Sequence, residues 1–122
     1  MTQIFIDPNK TIISVQVTSQ SLHALGFEIT VFASDGNTIT EQTTGDTNKE
    51  NPCAITLQNT PSLYKNGYIR GTFTVISPNG DDFEYSILFS LLENGIVVRP
   101  CITITGTTTN GSDSTIAQFH IN

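Results

Sequence analysis

The sequence predicts an all-β chain folded as a two-sheet antiparallel β-sandwich of about eight or nine strands. Three observations predict it. Asn-Gly pairs at Asn66-Gly67, Asn79-Gly80, Asn94-Gly95 and Asn110-Gly111 punctuate the second half of the chain. Between them, apolar and polar residues alternate. No window of about a dozen residues carries apolar positions at helical spacing without β-branched clusters or Gly interruptions. Asn and Gly both tolerate positive φ, which the primed turns of β-hairpins require, so each pair flanked by alternation reads as a turn.

In the N-terminal half, Ile13, Val15 and Val17 alternate with Ser14 and Gln16. Leu25, Phe27, Ile29 and Val31 do the same with Gly26, Glu28 and Thr30. Each set reads as a half-buried strand. Asp35-Gly36 turns the chain into a polar strand over Thr38 to Thr44, placed at a sheet edge. Thr43 to Pro52 reads as a loop, Cys53 to Gln58 as a short strand, and Asn59 to Gly67 as a second loop.

From Tyr68 to Ile121 the turns allow a register to be written, and it describes a four-stranded meander. A two-residue turn at Asn94-Gly95 sets Leu91 against Val98, Ile87 against Ile102 and Tyr85 against Ile104. The same turn at Asn110-Gly111 sets Ile102 against Phe119 and Ile104 against Ala117. A three-residue loop over Asn79 to Asp81 keeps the core in phase. It sets Val75 against Tyr85, Phe73 against Ile87 and Gly71 against Phe89, whose ring would cover the glycine. Pro100 has no N–H for the ladder, so a bulge or break is expected over Arg99 to Cys101. The earlier strands supply the second sheet, in an immunoglobulin-like or jelly-roll-like arrangement, with a β-barrel as the alternative.

The 122 residues match a single domain, residues 1–122. Charged residues are only 13% of the chain, so Thr, Asn and Ser cover much of the surface. The net charge is −6 and the five cations, Lys10, Lys49, Lys65, Arg70 and Arg99, are scattered. That excludes a nucleic-acid backbone as partner. No apolar run reaches the length of a membrane span, and Met1 to Lys10 lacks the basic and apolar regions of a signal peptide. The composition is nonetheless compatible with a mature secreted protein, so the compartment stays open. The motifs G-x-S-x-G, H-E-x-x-H, C-x-x-C and the phosphate-binding loop are all missing, and His23 and His120 are the only histidines. An enzyme is therefore not expected.

Four sets of residues stand out. Tyr64, Asn66 and Tyr68, beside the turn at Asn94, put aromatic rings near amide side chains, a combination that suits sugar stacking and hydrogen bonding. At the opposite end, Asp81, Asp82 and Asp113 fall within roughly two strand spacings, about 10 Å, and could offer oxygen ligands to Ca²⁺. On the outer face of the meander, Leu92 opposite Val97, Leu88 opposite Cys101, and nearby Ile116 form an apolar patch of the kind that supports self-association. His120 would sit beside Cys101 across a strand pair, and Cys53 and Cys101 point to opposite sides of their sheets, which disfavours a disulfide. The expected function is a non-enzymatic binding module that takes carbohydrate, or another extracellular glycan or protein ligand, through its end loops. A structural or assembly subunit forming a homo-oligomer is the alternative, and a metal-dependent enzyme the third reading.

Overall fold

A computed structural model of the chain describes residues 2–7, 9–10, 12–21, 24–77 and 79–122. The strands are β1 (Thr2–Ile4), β2 (Ile13–Ser19), β3 (Ala24–Phe32), β4 (Ile39–Asp46), β5 (Cys53–Thr56), β6 (Tyr68–Ile76), β7 (Glu84–Glu93), β8 (Ile96–Thr107) and β9 (Ser112–Ile121). A 3-10 turn, Pro61–Tyr64, is the only helical piece among the described residues. One sheet has five strands in the order β1-β9-β6-β3-β4, the other four in the order β5-β2-β7-β8. All neighbours are antiparallel except β1, which runs parallel to β9. The fold is thus an open two-sheet sandwich and not a closed barrel. As the sequence predicts, β4 lies at an edge.

The alternation places Leu25, Phe27, Ile29 and Val31 of β3, Ile69, Phe73 and Val75 of β6, and Phe119 and Ile121 of β9 inward from one sheet. Val15 and Val17 of β2 and Tyr85, Ile87, Phe89 and Leu91 of β7 meet them from the other. Phe89 is the hinge-pin of this core: its ring packs edge-on to Phe73 at 5.4 Å and tilted against Phe119 at 5.0 Å between centroids. Gly71 leaves the space that the Phe73 ring fills from two residues along the same strand; a Cβ there would collide with it.

The meander predicted for residues 68–121 does not form. Only the β7–β8 hairpin survives as a sheet pair; β6 lies between β3 and β9, and β7 between β2 and β8. Val75 faces Asp113 and Leu25 in its sheet, not Tyr85, and Phe119 faces Ile69, not Ile102. The turn chemistry itself is as expected. Asn94 (φ 49) and Gly95 (φ 83) close one primed turn, Asn110 (φ 54) and Gly111 (φ 86) another. After the second turn, however, the ladder ends at a single bridge, Thr109 with Ser112, and the chain crosses to the other sheet. Alternation cannot distinguish the two outcomes, because both send the same residues inward. What decides is the long antiparallel match of β7 with β2 and of β6 with both β3 and β9, pairs distant in sequence.

The expected irregularity at Pro100 is present. Between Val98 and Ile102, the residues Arg99, Pro100 and Cys101 oppose Ser90 alone, and the Arg99–Pro100 peptide is cis. The two extra residues move the pairs to Ile87 with Ile104 and Tyr85 with Gly106, while Leu91 stays opposite Val98. An even insertion preserves the inward face.

Candidate functional site

The five-stranded sheet turns one face to the core and the other outward. On that outer face, three rows cross the strands. Phe32, Tyr68, His120 and Gln3 are successive partners across β3, β6, β9 and β1. Gln42, Thr30, Arg70 and Gln118 form the next row, and Thr44, Glu28, Thr72 and Ile116 the third. Rows two residues apart lie about 7 Å from each other and strands about 4.8 Å, so the patch is a flat platform of roughly 14 by 14 Å.

Local sequence explains how the rings come together. Gly67 packs so tightly on the Phe32 carbonyl that any side chain would clash, which seats Tyr68 next to Phe32. The Asn66 N–H donates to the Ile121 carbonyl at 2.6 Å and the Ile121 N–H to the Gly67 carbonyl at 2.9 Å, which locks the start of β6 against the end of β9. Tyr68 and His120 therefore stack, with centroids 4.8 Å apart and planes 29° from parallel. The Arg70 guanidinium lies 4.6 Å above the Phe32 ring, and its Nε donates to Gln118 Oε1 at 2.9 Å. Glu28 Oε1 accepts from Gln42 Nε2 at 2.9 Å and from Thr30 Oγ1 at 3.4 Å. No ion pair joins Arg70 to Glu28.

A loop over residues 33–38 borders this platform, with Gly36 against the Tyr68 ring. Asp35 holds the loop: Oδ2 accepts from Thr38 Oγ1 at 2.6 Å, and Oδ1 from the Thr38 and Asn37 N–H groups at 2.8 Å each. The Thr38 hydroxyl, then the two backbone donors, pull the Asp35 carboxyl down to about 2. The platform thus presents half-exposed rings beside donors and acceptors that hold one another in place.

Of the four ligand residues read from the sequence, Tyr68 alone lies on the platform. Tyr64 is buried, its hydroxyl donating to Glu41 Oε1 at 2.8 Å and accepting from the Asn59 N–H at 2.8 Å. Asn66 serves as the left-handed link just described. Asn94 closes the β7–β8 hairpin and ties down the segment before β2, accepting from the Ile12 N–H through Oδ1 and donating its own N–H to the Ile12 carbonyl, each at 2.9 Å. Phe32, Arg70 and Gln118 carry no expectation from the sequence, and His120, expected beside Cys101, stands beside Tyr68 instead. Each is out of phase with an inward run, so an outward aromatic or cation next to apolar inward neighbours was the available signal. Which strands lie side by side was not.

At the other end of the sandwich, the loops carrying Asp82 and Asp113 do meet, as expected. The Ser77 N–H donates to the Gly111 carbonyl at 2.7 Å, and Gly80 packs against Gly111. Their polar groups bind protein. Asp82 Oδ1 accepts from the Asn110 N–H at 2.9 Å, Asp113 Oδ2 from the Tyr85 hydroxyl at 2.5 Å, and the Asp81 carbonyl from Thr108 Oγ1 at 3.0 Å. Among the described residues, no three His, Cys, Asp or Glu side chains gather as a metal-ligand set. Burial, then the bond to Asp113, push the Tyr85 hydroxyl up to about 12.

The apolar patch read from the sequence divides between two sheets. Leu92 pairs with Val97 as expected, but Leu92 is buried and Leu88 faces Thr103 instead of Cys101. Ile116, 60% exposed, stands on the outer face of the other sheet. Leu88, Val97, Pro100 and Cys101 line a shallow groove of about 510 Å³ with Gln16, Ser90, Arg99 and Thr103. Cys53 and Cys101 are free thiols on opposite edge strands of the four-stranded sheet, three strand spacings or about 14 Å apart, too far to bond. His120 is in the other sheet, so the expected Cys101–His120 pair does not form; His23 lies outside the described residues.

Fold and platform define the class: an all-β, two-sheet sandwich with a polar-aromatic sheet face. No protein-family model, curated protein or solved structure matches the chain. Among the described residues, no helix is long and apolar enough to cross a membrane.

Proposed function

We propose that the chain is a non-enzymatic binding module that holds carbohydrate on the outer face of the five-stranded sheet. The observation that carries this reading is the stacked Tyr68–His120 pair in line with Phe32, beside a row of amide, hydroxyl and guanidinium groups. A sugar ring has an apolar face that packs on aromatic rings and hydroxyls that both donate and accept, so it needs this pairing of surfaces. Fixing the polar groups in advance lowers the entropy cost of binding. Of the loops expected to bind, the Asn66-Gly67 segment seats Tyr68 on this platform.

A glycan array with calorimetric follow-up tests the reading. Glycans bound by the wild type should be lost with Tyr68→Ala and retained with Leu88→Asp on the other sheet. Binding of no glycan, or binding insensitive to Tyr68, would contradict it. Repeating the titration with a chelator asks whether Ca²⁺ takes part; this reading requires none.

A second reading, an assembly subunit, is favoured by one feature. Phe5 (72% exposed), Leu63 (66%) and Ile96 (73%) all sit on segments reaching the end of the sandwich where β6 begins. Light scattering that gives a monomer at high concentration, unchanged by Ile96→Asp, would remove it.

A further inference from the structure

We infer that the sugar held on this platform is an acidic one, and that Arg70 receives its carboxylate. The inference rests on the carbohydrate reading above and narrows it.

Arg70 is placed as a receptor for an anion and not as half of an internal pair. One edge of its guanidinium is committed, through Nε, to Gln118 Oε1. Its Cζ lies 4.6 Å from the centroid of the Phe32 ring, which supports it by a cation–π contact. The terminal Nη groups make neither a hydrogen bond nor a salt bridge with any described residue. A guanidinium held this way offers a planar pair of donors matched to the two oxygens of a carboxylate.

The nearest acid shows that pairing was available and is not used. Glu28 stands diagonally across from Arg70 on the neighbouring strand. Its Oε1 is taken by Gln42 and Thr30 instead. Two opposite charges on one face are thus each fixed by an amide and kept apart. Asp35, the acid bordering the Tyr68 end, turns its oxygens into its own loop. The chain's net charge of −6 opposes an anionic ligand at long range, but charges beyond about 8 Å are largely screened at physiological salt.

The test compares oligogalacturonate with its fully methyl-esterified form, alongside an array carrying sialylated, uronate-bearing, sulfated and neutral glycans. The ester keeps the rings and removes the charge. Wild type should bind the carboxylate form about tenfold or more tightly than the neutral counterpart, on whichever carboxylate glycan the array selects. Arg70→Gln should abolish that preference while leaving the weaker neutral binding, and Tyr68→Ala should weaken both forms. Unchanged melting of Arg70→Gln confirms that the sheet persists; if it melts early, Arg70→Lys, which keeps the charge and loses the fork, should retain only part of the preference. Equal binding of charged and neutral forms, selection of sulfated glycans alone, or indifference to Arg70 would overturn the inference and leave the carbohydrate reading standing. No glycan bound at all would overturn both.

Discussion

The outer faces of the two sheets have similar backbone and different chemistry. On the five-stranded sheet, Tyr68 stacks on His120, Arg70 lies over Phe32 and donates to Gln118, and Glu28 accepts from Gln42 and Thr30. On the four-stranded sheet, Leu88 and Val97 line an open groove beside the Arg99–Cys101 bulge, and further along Ser86 Oγ donates to Gln20 Oε1 in a groove of about 570 Å³ with Thr105 and Thr107. One face carries organised aromatic and charged groups, the other loosely arranged small and apolar ones. An apolar patch by itself therefore says less about function here than the order imposed on polar groups.

The largest effect should leave the comparison intact. Phe89→Ala empties the middle of the shared core and should cost about 3–5 kcal/mol, weakening both sheets alike in urea denaturation. Gly71→Ala pushes a methyl group into the Phe73 ring and should cost about 1–3 kcal/mol by the same measurement. Tyr68→Ala should reduce glycan affinity about tenfold or more with little loss of melting temperature. Leu88→Asp, its counterpart on the other face, should change stability by about 0.5 kcal/mol or less and affinity not at all. Finding the reverse would exchange the roles of the two faces.

Alkaline titration should expose two latches, Tyr85–Asp113 between the sheets and Tyr64–Glu41 between the 3-10 turn and β4. Burial and a bond to a carboxylate raise the Tyr85 hydroxyl to about 12, and burial followed by Glu41 raises that of Tyr64. A group whose pKa is raised by folding stabilises fully below its unfolded value, near 10 for Tyr, and loses that contribution as pH rises toward the folded value. Stability should fall above about pH 10, and Tyr85→Phe should flatten the fall. The smallest effect is at the platform's border: Asp35, lowered to about 2, contributes above its unfolded value and loses this as pH drops toward 2. Asp35→Asn should remove that acid-side slope in the same denaturation series.

Most strands, the core and the turns at Asn94-Gly95 and Asn110-Gly111 were legible in the sequence because period two and Asn-Gly are local signals; β1 was not, and the stretch expected as a hairpin loop over Asn79 to Asp81 instead lies in a crossing between the sheets. Phe27, Phe73, Phe89 and Phe119 point inward in any register that keeps the faces in phase. Which strands become neighbours was not legible. Asn110-Gly111 forms the turn its residues specify, yet β8 and β9 part after one bridge because β9 gains a nine-residue match with β6. The platform followed the same rule. Tyr68 could be singled out as an exposed aromatic, but His120 and Phe32 join it only once β9, β6 and β3 are known to lie side by side.

Carbohydrate binding as proposed requires the ligand to lie on the outer face of the five-stranded sheet. An amide chemical-shift titration with the best glycan from the array tests it most directly. Perturbations are expected over residues 28–32, 42, 68–72 and 116–120, with residues 97–105 of β8 unmoved. Perturbations centred on β8 and the Leu88 groove, or none anywhere, would contradict it.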